Sequence, residues 1–296
     1  MRHEPALRPD LAVGETLLAV ARHILAEART AIEDPGKPDS KAVHDFRRQM
    51  KRWRALLRLL EPFLAEGGTG LRLRARDLAR ALGGPRDAQS ALDALMDLAH
   101  QGLALSPRSL ATLHDRIAHI RQTAETTVLT GDMRLSIAAA LDDAEAAAET
   151  WPLQGVTFAE IARRHARGYR SARSARPAVW SRADAEELHE LRKRVVNHRY
   201  QFEIALPLWP RFIKMWIGEA QRLRERLGKH QDLLVLARLT SAHQPLAHWR
   251  SRLMPAIEQR KVAHAAASER IAKRLFLEKP KTFRRRLEAI WQNDDY

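Results

Sequence analysis

The chain has no cysteine among its 296 residues. That excludes disulfides, Cys-ligated zinc, iron–sulfur clusters and thiol catalysis. No uninterrupted apolar run approaches the roughly 18 residues a membrane span requires. Runs of strict apolar–polar alternation, the mark of half-buried strands, are missing. There is no Gly-x-x-x-x-Gly-Lys-Ser/Thr loop, so nothing suggests a P-loop nucleotide site. Met1 to Asp10 carries Arg2, Glu4, Arg8, Asp10 and two prolines and lacks the apolar stretch of a secretory signal, which makes the cytoplasm the expected location. Acidic residues are scarce beside basic ones: 36 against 51, a formal net charge of +15 and a pI near 10.8. Such an excess points to a polyanionic partner: nucleic acid, an anionic membrane face, or another phosphate polymer.

Glycine (13) and proline (14) are few and separate long stretches rich in Ala, Leu and Arg. Within those stretches apolar residues recur three and four apart, as in Phe46, Met50, Trp53, Leu57 and Leu60, which is the spacing of one helix face. The expected fold class is therefore all-α. Helices are expected over about 10–33, 40–61, 70–83, 86–103, 107–130 and 133–149 in the first half. Pro35-Gly36, Pro62, Gly67-Gly68, Gly83-Gly84-Pro85, Pro107 and Gly131 punctuate them, and Pro177, Pro207, Pro210, Gly228, Pro245 and Pro280 punctuate the second half.

The pattern repeats at an offset of 145 residues. His44-Asp45-Phe46-Arg47 aligns with His189-Glu190-Leu191-Arg192, Arg54 with Arg199, and Leu82-Gly83 with Leu227-Gly228. Arg22 aligns with Arg167, Asp87 with Asp232, and Ala118-His119 with Ala263-His264. One ungapped offset held over that length indicates duplication, so two helical units are expected, 1–150 and 151–296, joined near Trp151-Pro152-Leu153-Gln154-Gly155. Their charges differ: 21 basic and 21 acidic residues in the first, 30 and 15 in the second. Even so, 12 basic residues and four acids lie between Lys41 and Arg86, and seven arginines with no acid between Ile161 and Ala183.

On a helix over 43–60, His44, Arg47, Lys51, Arg54 and Arg58 fall within an arc of about 80°. The apolar set Phe46, Met50, Trp53, Leu57 and Leu60 lies on another face. In the second copy His189, Arg192 and Arg199 take the same angles, while Leu191, Val195 and Phe202 form the core face. A charge run on an amphipathic helix is usually a solvated face, but such faces mix signs for i,i+4 pairing. This stripe is nearly acid-free and recurs with its histidine. Successive cations roughly 5 Å apart along the axis suit a linear polyanion, with Arg forks binding phosphate oxygens in bidentate fashion and Lys acting as a point charge.

These residues resemble the CHAD family, the conserved histidine α-helical domain. Its helix reads His-x-Leu-Arg-x-x-x-Lys/Arg-Arg-x-Arg. Here it stands as His44-Asp45-Phe46-Arg47-Arg48-Gln49-Met50-Lys51-Arg52-Trp53-Arg54, and again as His189 to Arg199. The turns Leu82-Gly83-Gly84-Pro85-Arg86-Asp87 and Leu227-Gly228-Lys229-His230-Gln231-Asp232 are similar to the family's, as is the Arg-rich run Arg163 to Arg170. The resemblance covers about residues 10–292. It implies two four-helix-bundle-like repeats related by pseudo-twofold symmetry, and a basic central channel that binds inorganic polyphosphate. The positions it implicates are His44, Arg47, Lys51, Arg54, Arg58, Arg22 and His119, then His189, Arg192, Lys193, Arg199, Arg167, Arg170 and His264. In the second copy Val196-Asn197 replaces the family's basic pair. Arg194 falls on the wrong face to substitute, whereas Lys193 partly can.

Other chemistries fit less well. Asp87 and Asp232 read as first-turn carboxylates that satisfy helix amides. The pairs His44-Asp45 and His114-Asp115 evoke a metal phosphohydrolase, but the array does not recur: position 190 is Glu and position 259 is Gln. A kinase or phosphatase acting on polyphosphate needs a nucleophile or metal cluster that is not evident, so a non-enzymatic binder without cofactor is expected, in the cytoplasm and associated with polyphosphate granules. Non-specific nucleic-acid binding is the alternative. Against it, Phe46 and Trp53 are on the core face, away from where bases would stack. Trp209 and Trp216 read as core, or else as a docking patch for a protein partner.

Overall fold

The computed structural model describes residues 4–64, 67–82, 86–124 and 129–293. Among these the chain forms eleven α-helices and no strand: α1 (Val13–Glu33), α2 (Asp39–Leu60), α3 (Gly67–Ala81), α4 (Arg86–Ala99), α5 (Pro107–Ala124), α6 (Gly131–Glu149), α7 (Phe158–Ser174), α8 (Ala185–Glu203), α9 (Pro210–Leu239), α10 (Arg250–Leu275) and α11 (Pro280–Gln292). The all-α class read from the periodicity is the observed one. The order recurs along the chain. Adding 145 to the first residue of α1 gives the first residue of α7, and α2, α5 and α6 land within a few residues of α8, α10 and α11.

The expected helices differ from the observed ones mainly at glycines. Gly67 and Gly131 open α3 and α6 instead of preceding them. A break was expected at Gly228, yet α9 runs unbroken from Pro210 to Leu239 and spans the windows that α3 and α4 fill in the first half. A helical glycine costs only about 1 kcal/mol relative to alanine. In α9 the apolar row Leu223, Leu227, Leu233 and Leu236 is buried on both sides of Gly228. Asp232 is therefore a mid-helix residue and not a first-turn carboxylate, whereas Asp87 does stand in the first turn of α4. The equivalent Gly83-Gly84-Pro85 turn lies outside the described residues.

Two hydrophobic clusters hold the helices together, and both draw on both halves of the sequence. The larger takes its residues from α1, α2, α3, α6, α7, α8, the first part of α9, the last turn of α10 and α11. It includes the whole expected core face of α2 (Phe46, Met50, Trp53, Leu57, Leu60) and Leu191, Val195 and Phe202 of α8. The smaller lies among α4, α5, the last turns of α9, and α10. Trp216 is buried in the larger cluster, while Trp209 is about half exposed (48%) beside Phe212.

Local devices fix the helix ends around α2 and α8. Thr157 and Glu160 form a capping box that starts α7, and Asp184 and Glu187 form one that starts α8. The carbonyls that end α2 are capped from another helix: Arg164 of α7 donates from Nε to Leu59 O at 3.1 Å and from Nη2 to Arg58 O at 2.7 Å. The chain passes from α6 to α7 through a turn at Gly155, whose φ of 76° favours glycine. Just before that turn, the backbone of Leu153 packs directly onto Gly14 of α1.

Candidate anion-binding site

Helices α2 and α8 lie against each other and are tied by side-chain hydrogen bonds. Gln201 Nε2 donates to Ala55 O at 3.1 Å, and Arg58 Nη1 donates to Asn197 Oδ1 at 3.2 Å. With its apolar face in the core, α2 carries its cationic stripe on the flank toward α3. His44 and Lys51 are exposed, and Arg47, Arg54 and Arg58 are half-buried. Arg47 Nη1 donates to Leu82 O at 3.2 Å, at the end of α3.

The neighbours of Arg54 and Arg58 define the site. Helix α3 brings up Arg72, Arg76 and Arg80, spaced four apart and so on one face. Burial lowers the pKa of Arg54, and the charges of Arg72, Arg76 and Arg80 lower it further; Asp77 opposes them weakly. Asp77 is itself hydrogen-bonded to Arg76 at 2.9 Å. Arg58 is pushed down to about 10, by burial first and then by Arg54, Arg72 and Arg194. Neither Arg54 nor Arg58 has a carboxylate within 4 Å among the described residues, and Arg54 Nε is buried with no hydrogen-bond acceptor. Two like charges about 6 Å apart repel by roughly 3 kcal/mol at an effective dielectric of 20, and by under about 1 kcal/mol in bulk water. Half-burial therefore makes this cluster costly until an anion enters it.

The second copy of the stripe is neutralised by the protein itself. Lys193 pairs with Glu190 at 3.2 Å and with Glu186 at 3.6 Å, and Arg199 pairs with Glu203 at 2.6 Å while its guanidinium lies 4.1 Å over the Tyr200 ring. The Arg192 guanidinium lies over Gly228 of α9, and His189 is half-buried. Arg194, assigned to the wrong face by helical angle alone, is the α8 cation whose charge reaches Arg58. Its Nε holds Glu190 at 2.5 Å and its Nη1 donates to Ser171 Oγ at 2.6 Å.

The remaining expected positions separate. Arg167 and Arg170 are exposed on α7 in an open groove of about 770 Å³ against the start of α11. Arg22 turns toward α6, where it forms a bidentate ion pair with Glu149. His119 is exposed on α5, among the helices of the smaller cluster. His264 is fully buried and shares its Nε2 with Asp97 Oδ2 at 2.8 Å; Arg260 (2.6 Å) and Lys229 (2.8 Å) grip the same carboxylate. The structure thus gives His264 an internal acid partner in place of a solvent-facing one. The two His-Asp pairs sit on different helices, α2 and α5, and among the described residues no group of three or more His, Cys, Asp or Glu could hold a metal ion. No helix, among the same residues, is long and apolar enough to cross a membrane.

Arg72, Arg76 and Arg80 lie on α3, outside the histidine helix that carries the family-like motif. Their four-residue spacing in Leu71-Arg72-Leu73-Arg74-Ala75-Arg76-Asp77-Leu78-Ala79-Arg80 was the available signal.

The sequence matches the family described as CHAD domain over residues 15–241. Among solved structures, the crystal structure of the CHAD domain from the plant Ricinus communis superimposes with a TM-score of 0.60 at 22% identity, covering 97% of this chain and 95% of that one. At that identity the likeness bears on the fold. Comparison with curated proteins finds no match.

Proposed function

From the premise that this chain belongs to the CHAD domain family, we propose that it binds inorganic polyphosphate without catalysing a reaction on it, through the cationic cluster that α2 and α3 form. The observation that carries this reading is the crowding of Arg54 and Arg58 with Arg72, Arg76 and Arg80 against two carboxylates, Asp77 and Glu61, already engaged by Arg76 and Arg164. An extended string of phosphates supplies many negative charges on a narrow front, and guanidinium forks hold its oxygens. His44, Arg47 and Lys51 extend the cluster toward the start of α2, and Arg194 of α8 adds its charge to that of Arg58. The two α2–α8 contacts Arg58–Asn197 and Arg52–Glu203 exchange places under the 145-residue offset, which supports the reading of two pseudo-symmetric repeats.

Nucleic acid is the competitor. Among the described residues of α2 and α3 the aromatic side chains are Phe46 and Trp53, and both are buried, at 0% and 2% exposure, which disfavours it. Residence in the cytoplasm, with association to polyphosphate granules, belongs to the same proposal. The test is calorimetric titration with long-chain polyphosphate and with duplex DNA at matched phosphate concentration and salt. Tighter binding of polyphosphate is expected. Equal or tighter binding of DNA overturns the reading, and release of orthophosphate overturns its non-catalytic part.

A further inference from the structure

The α2–α3 cluster does not end where α2 ends. At the last turn of α2, Arg164 of α7 donates to Arg58 O, and Arg194 of α8 adds its charge to that of Arg58. Both lead to the same place. Arg194 is hydrogen-bonded to Ser171, which lines the groove between α7 and α11, and Arg164 feels the charge of Arg167, which lines it too. The groove carries Arg163, Arg167, Arg170, Lys281 and Arg284, and no acidic residue lines it. Arg284 is partly neutralised by Glu288 at 3.4 Å. Arg167, Arg170 and Lys281 have no carboxylate within 4 Å among the described residues. The start of α11 adds the first-turn backbone N–H of Lys281 to the same wall, beside Pro280, which has none. Carboxylates do occur at the junction: Glu61 holds Arg164 at 3.2 Å and Glu190 holds Arg194. They sit on the cations that bridge the two sites and not in either site.

We infer that the α7–α11 groove is a second phosphate-chain site continuous with the α2–α3 cluster, so that one long polyphosphate chain occupies both and short chains cannot. This rests on the polyphosphate reading above and sets its chain-length preference. From His44 to Arg58 the stripe runs about 21 Å along α2, and from Arg163 to Ser174 the groove runs about 16 Å along α7. A tripolyphosphate fills a fraction of either. A chain long enough to pass the Arg58–Arg194 junction gains the second site as an intramolecular event, at high effective concentration. No aromatic side chain lines the groove, so bases have nothing to stack on there and a bare phosphate chain is the fitting occupant.

The test compares the full-length wild-type chain with the double variant Arg170→Gln/Lys281→Gln, titrated with tripolyphosphate and with long-chain polyphosphate at one salt concentration. Circular dichroism verifies that the variant folds; both side chains are exposed and their removal relieves repulsion. The ratio of long-chain to tripolyphosphate affinity should fall at least tenfold in the variant. The slope of log K against log salt for the long chain should shrink by about 1.4, two contacts at roughly 0.7 each. An unchanged ratio and slope overturn the continuous site while leaving the α2–α3 site standing. Failure of the wild type to bind polyphosphate of any length instead removes the underlying reading. A single-stranded oligonucleotide that binds as tightly as polyphosphate of equal phosphate number, with the same loss in the variant, overturns the assignment to a bare chain.

Discussion

Arg58 and Glu203 stand at equivalent positions 145 residues apart, and each makes the same contact between α2 and α8: Arg58 donates to Asn197 at 3.2 Å, and Glu203 lies 4.0 Å from Arg52. Their partners are equivalent too, since Asn197 is 145 residues beyond Arg52. One helical turn earlier on each helix comes an arginine, Arg54 or Arg199. Arg199 finds Glu203 four residues on and closes an ion pair at 2.6 Å. Arg54 finds Arg58 four residues on and is repelled by it. The inversion of charge at this duplicated position, together with the replacement of Arg72, Arg76 and Arg80 by Ile217, Gln221 and Glu225 in the second copy, separates a half that neutralises itself from a half left in need of an external anion.

Arg58→Glu should therefore convert the first half to the electrostatics of the second. The new carboxylate would close on Arg54, as Glu203 does on Arg199, and long-chain polyphosphate affinity should fall at least tenfold with thermal stability kept or raised. Calorimetric titration together with a melting curve measures both. The reciprocal Glu203→Arg should destabilise by about 2 kcal/mol or more, because Arg52 and Arg199 lose their half-buried partner.

Binding through guanidinium and ammonium groups should be steeply salt-dependent. With the single-strand rule, log K falls by about 0.7 per tenfold rise in salt for each phosphate engaged. Engagement of five cations of the α2–α3 cluster then gives a slope of about −3.5. A slope near zero between 50 and 200 mM salt, over which the Debye length falls from about 14 to about 7 Å, is incompatible with the site as drawn.

The fold was readable because it rests on spacing. The three-and-four recurrence from Phe46 to Leu60 fixed both the helix and its buried face, and the offset of 145 recovered the helix order. What was not readable depended on which helices meet. Arg194 lies on the wrong face of an isolated α8, and only the packing of α2 on α8 brings its charge to Arg58. Gly228 carries the local signature of a break, and tertiary burial on both sides of it overrides that signature. Arg22 and His264 share the repeat's register with candidate residues, yet partners at Glu149 and Asp97, more than a hundred residues away in sequence, claim them.

Asp97 is the hub of the smaller cluster. Burial pushes its carboxyl up, but hydrogen bonds from Arg260, Lys229 and His264 outweigh this and hold it well below the ordinary carboxylate range. Asp97→Asn should leave Arg260 and Lys229 facing each other without the charge that joins α4 to α9 and α10. The expected cost is about 3–5 kcal/mol in urea unfolding. Polyphosphate affinity, measured under conditions where the variant is folded, should change less than threefold, because α4 and α10 carry none of the α2–α3 cations.

At Gly14 the constraint is steric. A Cβ there would meet the Leu153 carbonyl oxygen at 2.1 Å, a backbone atom that cannot swing aside. Gly14→Ala gains helix propensity of about 1 kcal/mol but forces the start of α1 away from the α6–α7 connection. A net loss of about 1–3 kcal/mol is expected. A variant as stable as the wild type would show that this connection shifts freely.

The last prediction concerns two buried bases. His165 is fully buried with neither ring nitrogen hydrogen-bonded, and burial pushes its pKa from 6.5 down to about 4. His198 accepts from Trp216 Nε1 at 3.1 Å, which fixes its Nε2 as unprotonated, and burial with the nearby His165 pushes it down to about 3. Below pH 6.5 the unfolded chain takes up protons that the folded one refuses, so stability falls as pH drops from 6.5. The loss from His165 levels off near pH 4 and that from His198 near pH 3. Each contributes a slope of about 1.4 kcal/mol per pH unit. Glu203 and Glu278, raised by burial, act with the opposite sign at the acid end of this range, because the folded state takes up their protons first. His165→Leu removes one of the two bases and its unsatisfied nitrogens from a core that includes Phe202. At pH 5, 1.5 units below the ordinary value, the variant should gain about 2 kcal/mol over the wild type relative to any difference at pH 7. Urea unfolding at pH 7, 6 and 5 measures that gain, and parallel stability curves for the two proteins would mean that His165 takes up its proton at the same pH in the folded as in the unfolded chain.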